Sequence, residues 1–281
     1  MKKMKLLALC AIATGFVTSC QKEELTNEIQ TETVELSKAH QIALWDAGVN
    51  PNGAKYHSLQ HPGEIEKTNG ILSGDIFMAL DQLAEQALAG DTNGTKQYRT
   101  RNTVSQGRTI SVVGFTGSGF ALTNVMRNGL QRAVNTFNAQ NISLRFNLRF
   151  AATTNADMVI YNAGGSGQGG KAEFPSGGRP GKFIQIFGGM NSLSSNVNTH
   201  VIIHEMGHAI GLRHTDYARR RCSDGGNEGS GAPGAIRIPG TPSENRWGAP
   251  GLDRDSVMIS CFGNEDGRIS NFDRIALEYL Y

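Results

Sequence analysis

The eleven residues from His204 to His214 constrain the fold of this chain more than any other segment. They spell H-E-M-G-H-A-I-G-L-R-H, and histidines four positions apart on a helix lie on one face, about 6 Å apart. Gly211 tolerates the positive φ of a sharp turn, so the chain can swing His214 back towards His204 and His208. The spacing predicts a helix that ends at Gly211 and three imidazoles that converge on one metal ion.

The same segment predicts a chemistry. Three protein ligands leave one coordination position open, which distinguishes catalytic from structural zinc sites. Glu205 follows the first histidine, where its carboxylate can take a proton from water and pass it to a leaving amine, while Zn²⁺ polarises a carbonyl. We therefore expect a zinc endopeptidase with Glu205 as general base and acid. The alternative is a non-catalytic surface binding lipoprotein that retains a structural metal site.

The remaining apolar patterning predicts an α+β fold. A sheet and two helices come first, and a mostly irregular C-terminal part ends in a helix that Ser270 and Asp273 cap. A further helix is predicted over residues 76–84. The strand candidates are residues 109–115, 142–150, 158–161 and 183–187, and the two helices are residues 122–139 and the helix of the histidine segment.

A methionine follows the third histidine by about forty residues, at Met258 within Ser256-Val257-Met258-Ile259-Ser260. Together with the histidine segment, this order resembles the metzincin superfamily, whose members carry a methionine turn beneath the metal. The resemblance implies a mixed twisted sheet with two helices above a zinc cleft. Ser260 departs from the astacin-like and serralysin-like members, which have a tyrosine ligand at this position.

Within the metzincins, the chain resembles the dual-action HEIGH metallopeptidases of bacteria. Met206 stands where the isoleucine of the name would be, and His214-Thr215-Asp216 matches their H-T-D continuation. The resemblance covers roughly residues 100–281 and implies a catalytic domain at 106–281, split by a cleft. It also implies that residues 171–174 form an edge strand, which would pair with a protein or peptide substrate in extended conformation.

Residues 20–105 form an N-terminal region that we interpret as a propeptide. Gly74-Asp75 resembles the Gly-Asp of aspartate-switch propeptides, so Asp75 is a candidate latency switch that blocks the metal. The other interpretation is a turn aspartate before a helix, and the sequence favours that simpler interpretation.

The N-terminus predicts export. Lys2, Lys3 and Lys5 precede an apolar run at residues 6–17, which is too short to span a membrane, so residues 1–19 are predicted to form a signal peptide. Residues 17–20 resemble the lipobox of bacterial lipoproteins, which implies lipidation of Cys20 and a lipid anchor in the membrane. The next four residues resemble the tag of surface-exported lipoproteins, so we expect the outer membrane and the cell surface. The alternative is an ordinary signal peptide with an incidental cysteine.

Cysteine use and charge agree with export. Cys222 and Cys261 remain after the signal peptide and Cys20 are assigned, and in an oxidising compartment they are predicted to form a disulfide worth about 4 kcal/mol. Removing the three signal-peptide lysines from the 27 basic residues leaves 24, against 25 acidic residues. A near-neutral chain provides no electrostatic basis for binding nucleic acid.

Overall fold

The computed structural model describes residues 34–88, 98–221 and 235–281, which belong to one compact unit, Val34–Tyr281. The predicted signal peptide, Cys20 and Cys222 lie outside the described residues, so the lipid anchor and the disulfide of Cys222 with Cys261 stay predictions. Within the described ranges, no helix is both long enough and apolar enough to cross a membrane.

Five helices separate groups of one to four strands along the described chain. The helices are α1 Lys38–Asp46, α2 Leu80–Leu88, α3 Asn124–Asn138, α4 Ser195–Ile210 and α5 Asn271–Leu280. The strands are β1 Lys55–Leu59, β2 Thr68–Ser73, β3 Ile76–Ala79, β4 Tyr98–Arg99, β5 Thr109–Phe115, β6 Arg145–Ala151, β7 Met158–Gly164, β8 Gly170–Glu173, β9 Phe183–Phe187 and β10 Ile236–Arg237. A 3-10 turn at Gly188–Ser192 precedes α4.

One mixed sheet organises the fold, with the strand order β1-β2-β3-β8-β9-β7-β5-β6. The strands β6, β5, β7 and β9 run parallel, and β8 turns antiparallel to β9. The strand β3 pairs parallel with β8, and β2 and β1 continue antiparallel from it. The predicted α+β class, with a mixed sheet and a C-terminal helix, is confirmed.

The main core lies where α3 and α4 pack against each other and against the sheet. Apolar side chains of α3 recur at helical spacing and are buried, as the sequence predicts. Burying each large apolar side chain stabilises the fold by roughly 1.5–3 kcal/mol. Representative members of this core are Ile110, Leu130, Val134, Ile160, Ile184, Ile202 and Met206.

The predicted helix over residues 76–84 is wrong in its first half. Ile76–Ala79 is the strand β3, and the helix α2 begins only at Leu80. All four residues of β3 are buried, with hydrogen-bonded neighbours on both sides. A short, continuously apolar segment of this kind lacks the alternation that marks a half-buried strand, so periodicity alone does not separate it from a helix.

The predicted edge strand is also different in the structure. Residues 170–173 form β8, but β8 lies between β9 and β3 and is therefore not an edge. The strand that covers it comes from the N-terminal region, where β2 and β3 form a hairpin whose turn contains Gly74 and Asp75. The Ala172 N–H of β8 donates to the Asp75 carbonyl at 3.0 Å. This hydrogen bond holds the β2–β3 turn against β8.

Candidate metal centre

The helix α4 carries the first two histidines. The Ser194 hydroxyl caps its start by accepting a hydrogen bond from the Val197 N–H. At its end, Gly211 has a left-handed φ of 115°, and its N–H donates to the carbonyls of Gly207 and His208. A residue with a β-carbon adopts this φ only under strain, so glycine allows the reversal that returns His214 to the helix.

The three imidazoles converge through their Nε2 atoms. The His204 Nε2 lies 3.1 Å from the Nε2 atoms of His208 and His214, and the latter two are 3.2 Å apart. The Nδ1 atoms of His204 and His208 lie 2.8 Å from the carbonyls of Val257 and Leu212. Since a carbonyl only accepts, each Nδ1 carries the hydrogen and each Nε2 presents a lone pair.

Converging lone pairs repel one another unless a cation lies between them, so the arrangement fits a metal ion. Zinc–nitrogen bonds of about 2.0–2.1 Å in tetrahedral geometry require nitrogens roughly 3.3 Å apart. The observed separations of 3.1–3.2 Å are close to that requirement. Three imidazole donors, two of them held by a backbone carbonyl at Nδ1, are also a ligand set that suits zinc.

Asp75 joins the three histidines. Its Oδ2 lies 3.0 Å from His214 Nε2 and 3.5 Å from His204 Nε2, and its Oδ1 lies 3.9 Å from His208 Nε2. Within the described part of the chain, these four residues are the group whose donor atoms are spaced to hold a metal.

Glu205 lies between α4 and β8. A β-carbon on Gly170 would come within 2.8 Å of the Glu205 Oε1, so β8 approaches this carboxylate closely because it has glycine there. The Glu205 Oε2 is buried and has no hydrogen-bond partner among the described residues. Burial and the negative charge of Asp75 raise the pKa of Glu205 well above its usual range. A buried carboxyl with an unused oxygen suits proton transfer to a bound molecule.

Met258 lies beneath the histidines. A β-carbon on Gly207 would lie 2.5 Å from the Met258 Sδ, so the thioether packs against the helix backbone between the two helical histidines. The Met258 carbonyl accepts a hydrogen bond from the Thr215 N–H at 2.8 Å, directly after the third histidine. The buried methionine therefore contacts both segments that carry the imidazoles.

Residues 71–281 match the family model of the dual-action HEIGH metallo-peptidases. The chain belongs to this family. It is therefore a metallopeptidase, and the predicted resemblance is confirmed. The family match begins within β2, so it includes Asp75 and β3 as well as the histidine segment.

Two solved structures of myroilysin are similar to this HEIGH metallopeptidase. One is 15% identical, with a TM-score of 0.39, and the similarity covers 62% of this chain and 93% of the myroilysin chain. The other is also 15% identical, with a TM-score of 0.37, and covers 63% of this chain and 85% of that one. No curated protein matches the chain.

In the HEIGH metallopeptidase, hydrogen bonds that the sequence did not predict hold the methionine segment behind the metal ligands. The buried Asp273 of α5 accepts hydrogen bonds from Ser256 Oγ at 2.6 Å and from the Val257 N–H at 2.8 Å. The Val257 carbonyl in turn accepts from His204 Nδ1. Sequence patterning identifies Asp273 only as part of a capping box with Ser270, which the structure also contains. Its hold on the methionine segment depends on tertiary packing.

The loop of the third histidine is fixed from the N-terminal side as well. The Thr100 N–H donates to the Gly211 carbonyl at 2.8 Å, and the Arg213 N–H donates to the Tyr98 carbonyl at 2.7 Å. After the histidine, the Asp216 carboxylate accepts from both the N–H and the hydroxyl of Ser260, at 3.0 and 2.9 Å. At the position where astacin-like and serralysin-like metzincins carry a tyrosine ligand, this metallopeptidase therefore uses a serine to support the loop.

Proposed function

We propose that the chain is a zinc-dependent endopeptidase whose metal is held by His204, His208 and His214. The observation that carries the proposal is the convergence of three imidazole Nε2 atoms within 3.1–3.2 Å of one another. A zinc ion held there would polarise the scissile carbonyl and lower the pKa of water towards 7. The other steps of peptide hydrolysis use side chains of the protein.

Glu205 is the proposed general base and acid. Burial, together with the charge of Asp75, raises the pKa of the Glu205 carboxyl well above its usual range, which makes its carboxylate a stronger base than that of an exposed glutamate. The carboxylate accepts a proton from the attacking water and then donates it to the nitrogen of the departing amine. His214 and, to a smaller extent, Lys171 act against this increase in pKa.

The backbone behind the histidines has a positioning role in this proposal. The carbonyls of Val257 and Leu212 each hold one Nδ1–H, so the imidazoles keep the tautomer that presents Nε2. Asp273 holds Val257, and Met258 fills the space under α4 at Gly207. A rigid ligand set of this kind keeps three of four positions fixed and leaves the fourth for reactants.

We also propose that the N-terminal region keeps the enzyme latent. Asp75 lies within 3.0–3.9 Å of all three Nε2 atoms, where it can act as a fourth ligand. The strand β3 pairs with β8, the strand that we expect to align an extended substrate. One hairpin thus occupies both the metal position and the substrate position. This supports Asp75 as a latency switch rather than as a simple turn residue.

Export and lipid anchoring complete the proposed function. The signal peptide at 1–19 and the lipobox-like segment ending at Cys20 support an exported lipoprotein of the bacterial outer membrane, exposed at the cell surface. The disulfide of Cys222 with Cys261 is proposed for the same oxidising environment. The domain division remains an N-terminal propeptide at 20–105 followed by a catalytic domain at 106–281.

Hydrolysis of a quenched fluorescent peptide tests the function. The purified full-length protein is loaded with zinc and incubated until its activity reaches a plateau, and the rate is then measured with and without a chelator. We expect cleavage at internal bonds that the chelator abolishes and that added zinc restores. Absence of cleavage both by this protein and by the zinc-loaded Asp75→Ala variant would favour the alternative, a surface binding protein with a structural metal site.

A further inference from the structure

The N-terminal segment at residues 34–88 is built into the same sheet as the catalytic strands. Its strand β3 lies between β2 and β8, so the sheet continues from this segment to β9. The pairing of β3 with β8 is short, with Ile76 beside Ala172 and Phe77 beside Glu173. Two residue pairs hold a segment of this size only weakly, but three groups of side-chain contacts add to them.

The first group is a buried apolar cluster. Phe174, directly after β8, packs in a cluster whose other buried members come from residues 34–88. Those members are Leu36, Leu44, Ala47, Val49, Ile71, Ile76, Met78 and Leu83. Beside the cluster, the Gln86 side-chain amide of α2 donates to the carbonyls of Phe174 and Pro175, both at 3.3 Å. Removing the segment would expose the apolar surface to water, so the hydrophobic effect holds it without a covalent link.

The second contact joins the segment to the loop of the third histidine. Arg213, which directly precedes His214, is fully buried. Its Nη1 donates to the Gly48 carbonyl at 2.6 Å, and its guanidinium lies 5.4 Å from the ring centroid of Phe174. A hydrogen bond from a charged donor is stronger than one between neutral groups, especially where water is excluded. The segment is therefore attached directly beside a metal ligand.

The third contact lies on the face of the sheet opposite α3 and α4. Tyr161 of β7 and Phe183 of β9 point away from the main core, since an adjacent residue of each strand belongs to that core. The buried His61 ring stacks on the Phe183 ring, with centroids 4.0 Å apart. The His61 Nδ1 lies 2.8 Å from the Tyr161 hydroxyl oxygen. The segment thus covers this face of the catalytic strands as well as β8.

The contacts of Tyr98 and Thr100 show where the chain could be cut without loss of the metal centre. The Tyr98 carbonyl accepts from the Arg213 N–H, and the Thr100 N–H donates to the Gly211 carbonyl. A cut beyond these two residues would place them on the N-terminal fragment, although they hold the loop of the third histidine. A cut that spares the metal centre therefore lies between α2 and β4. Residues 98–281 then form the catalytic fragment.

We infer that residues 34–88 remain bound to the catalytic fragment after such a cut and act as a separate inhibitor polypeptide. Asp75 and β3 belong to this polypeptide, so the metal position and β8 stay covered until it dissociates. Activation then has two steps, cleavage of the chain and release of the cut segment. Because the proposed lipid site at Cys20 precedes the segment, release also frees the catalytic fragment from the membrane. The inference rests on the proposed latency and extends it.

Cutting the chain at one engineered position tests the inference. The recognition sequence of a site-specific protease is inserted after Gly94, between α2 and β4, and the zinc-loaded full-length protein is cut to completion. We expect the two fragments to elute together from a gel-filtration column at about 1 µM. The specific activity for a quenched fluorescent peptide should be low at this concentration and rise at least about tenfold on dilution, because dilution favours dissociation.

Elution and activity are measured separately, so retention and peptidase function can fail independently. Fragments that elute apart at about 1 µM would overturn the inference, whatever their activity. Fragments that elute together with an activity that does not change on dilution would overturn the inhibitor role. A cut protein whose fragments separate on dilution but that hydrolyses no peptide would establish retention and count against the endopeptidase function.

Two histidine–tyrosine pairs provide a matched comparison in the cut protein. His61 with Tyr161 crosses to the catalytic fragment, whereas His40 with Tyr56 lies within residues 34–88, and each Nδ1 is 2.8 Å from its hydroxyl oxygen. His61→Ala should raise the concentration at which half of the activity appears by at least about tenfold. His40→Ala should leave that concentration unchanged. Equal concentrations for the two variants would contradict a binding role for the His61 contact.

Discussion

The Asp75 carboxylate lies 3.0 Å from His214 Nε2, although one residue belongs to a hairpin turn of the N-terminal region and the other to the loop after α4. The position of Asp75 is fixed from two directions, because its carbonyl accepts from the Ala172 N–H while its carboxylate faces the imidazoles. The contact joins Asp75, near the start of the family match at residue 71, to the histidine segment. It is the basis of the proposed latency.

The first prediction concerns Asp75→Ala in protein that has not been cleaved. Without the carboxylate, the fourth position beside the three Nε2 atoms becomes accessible to water. We expect the activity of the intact chain to rise at least about tenfold, which corresponds to a blocking contact worth about 1.4 kcal/mol or more. Peptide hydrolysis is measured at early times, and the intact mass of the protein is confirmed by mass spectrometry.

Asp81→Ala serves as the control for this variant. Asp81 is exposed in the first turn of α2, only six positions further along the same segment, and it does not belong to the metal-competent group. Its replacement should leave the activity of the intact chain unchanged. Equal activity of the Asp75→Ala variant and the unchanged chain would refute the latency proposal, whatever the result for the metal site.

Glu205→Gln is the second prediction. The amide keeps the shape of the side chain but cannot take up the proton, so kcat should decrease by about 10²–10⁴-fold while zinc remains bound. Zinc content is measured by elemental analysis alongside peptide hydrolysis. Glu278→Gln, at an exposed position on α5, should retain both activity and zinc. Full activity in Glu205→Gln would exclude the proposed mechanism.

The histidine segment was predictable from sequence because its geometry is local. Residues four apart share a helix face, and a glycine that ends a helix reverses the chain, so His204, His208 and the turn at Gly211 follow from spacing alone. The strand β5 was predictable for a similar reason, since β-branched residues cluster in it.

The contact of Asp75 with the histidines was suggested only by the resemblance of Gly74-Asp75 to aspartate-switch propeptides, and the contacts of Asp273 with the methionine segment were not predicted. Each carboxylate binds groups that are distant in sequence, and neither local pattern differs from an ordinary turn or helix cap. The strand β3 was mistaken for a helix because its burial comes from pairing with β2 and β8, which sequence periodicity does not record. The metal ligands and the helix end, which depend on residues close in sequence, were therefore predictable from spacing. Contacts between residues far apart in sequence were not.

The third prediction is that Gly207→Ala destabilises the fold. Alanine is the better helix former by about 1 kcal/mol, but its β-carbon would lie 2.5 Å from the Met258 Sδ. Overpacking of this kind costs about 1–3 kcal/mol, so we expect the free energy of unfolding to decrease. Urea unfolding with zinc removed measures it without a contribution from metal binding.

A double-mutant cycle with Met258→Ala isolates the contact. When the thioether is absent, the added methyl group no longer meets it, so Gly207→Ala should then be neutral or slightly stabilising. The coupling free energy between the two positions is expected to be about 1–2 kcal/mol. Additive effects would show that Met258 does not pack against the helix at this point.

The fourth prediction concerns Glu173 of β8, which is buried beside His61 of the N-terminal region, with 3.9 Å between Glu173 Oε1 and His61 Nε2. Burial raises the pKa of Glu173 to about 7, although the N–H groups of Phe183 and Lys182 donate to it. Between about pH 4.5 and 7 the folded state keeps a proton that the unfolded state releases, so the contribution of this group to stability is lost as the pH rises.

Glu173→Gln removes this titration and keeps an oxygen that can accept the two N–H groups. Relative to the unchanged chain, we expect the variant to gain stability between pH 5 and pH 8, by about 3 kcal/mol at most. Urea unfolding at both pH values measures the difference, with exposed Glu35→Gln as the control. The opposite sign, a variant that loses stability as the pH rises, would mean that Glu173 is ionised and paired in the folded chain. Then the N-terminal region would be held to β8 by charge rather than by a neutral buried contact.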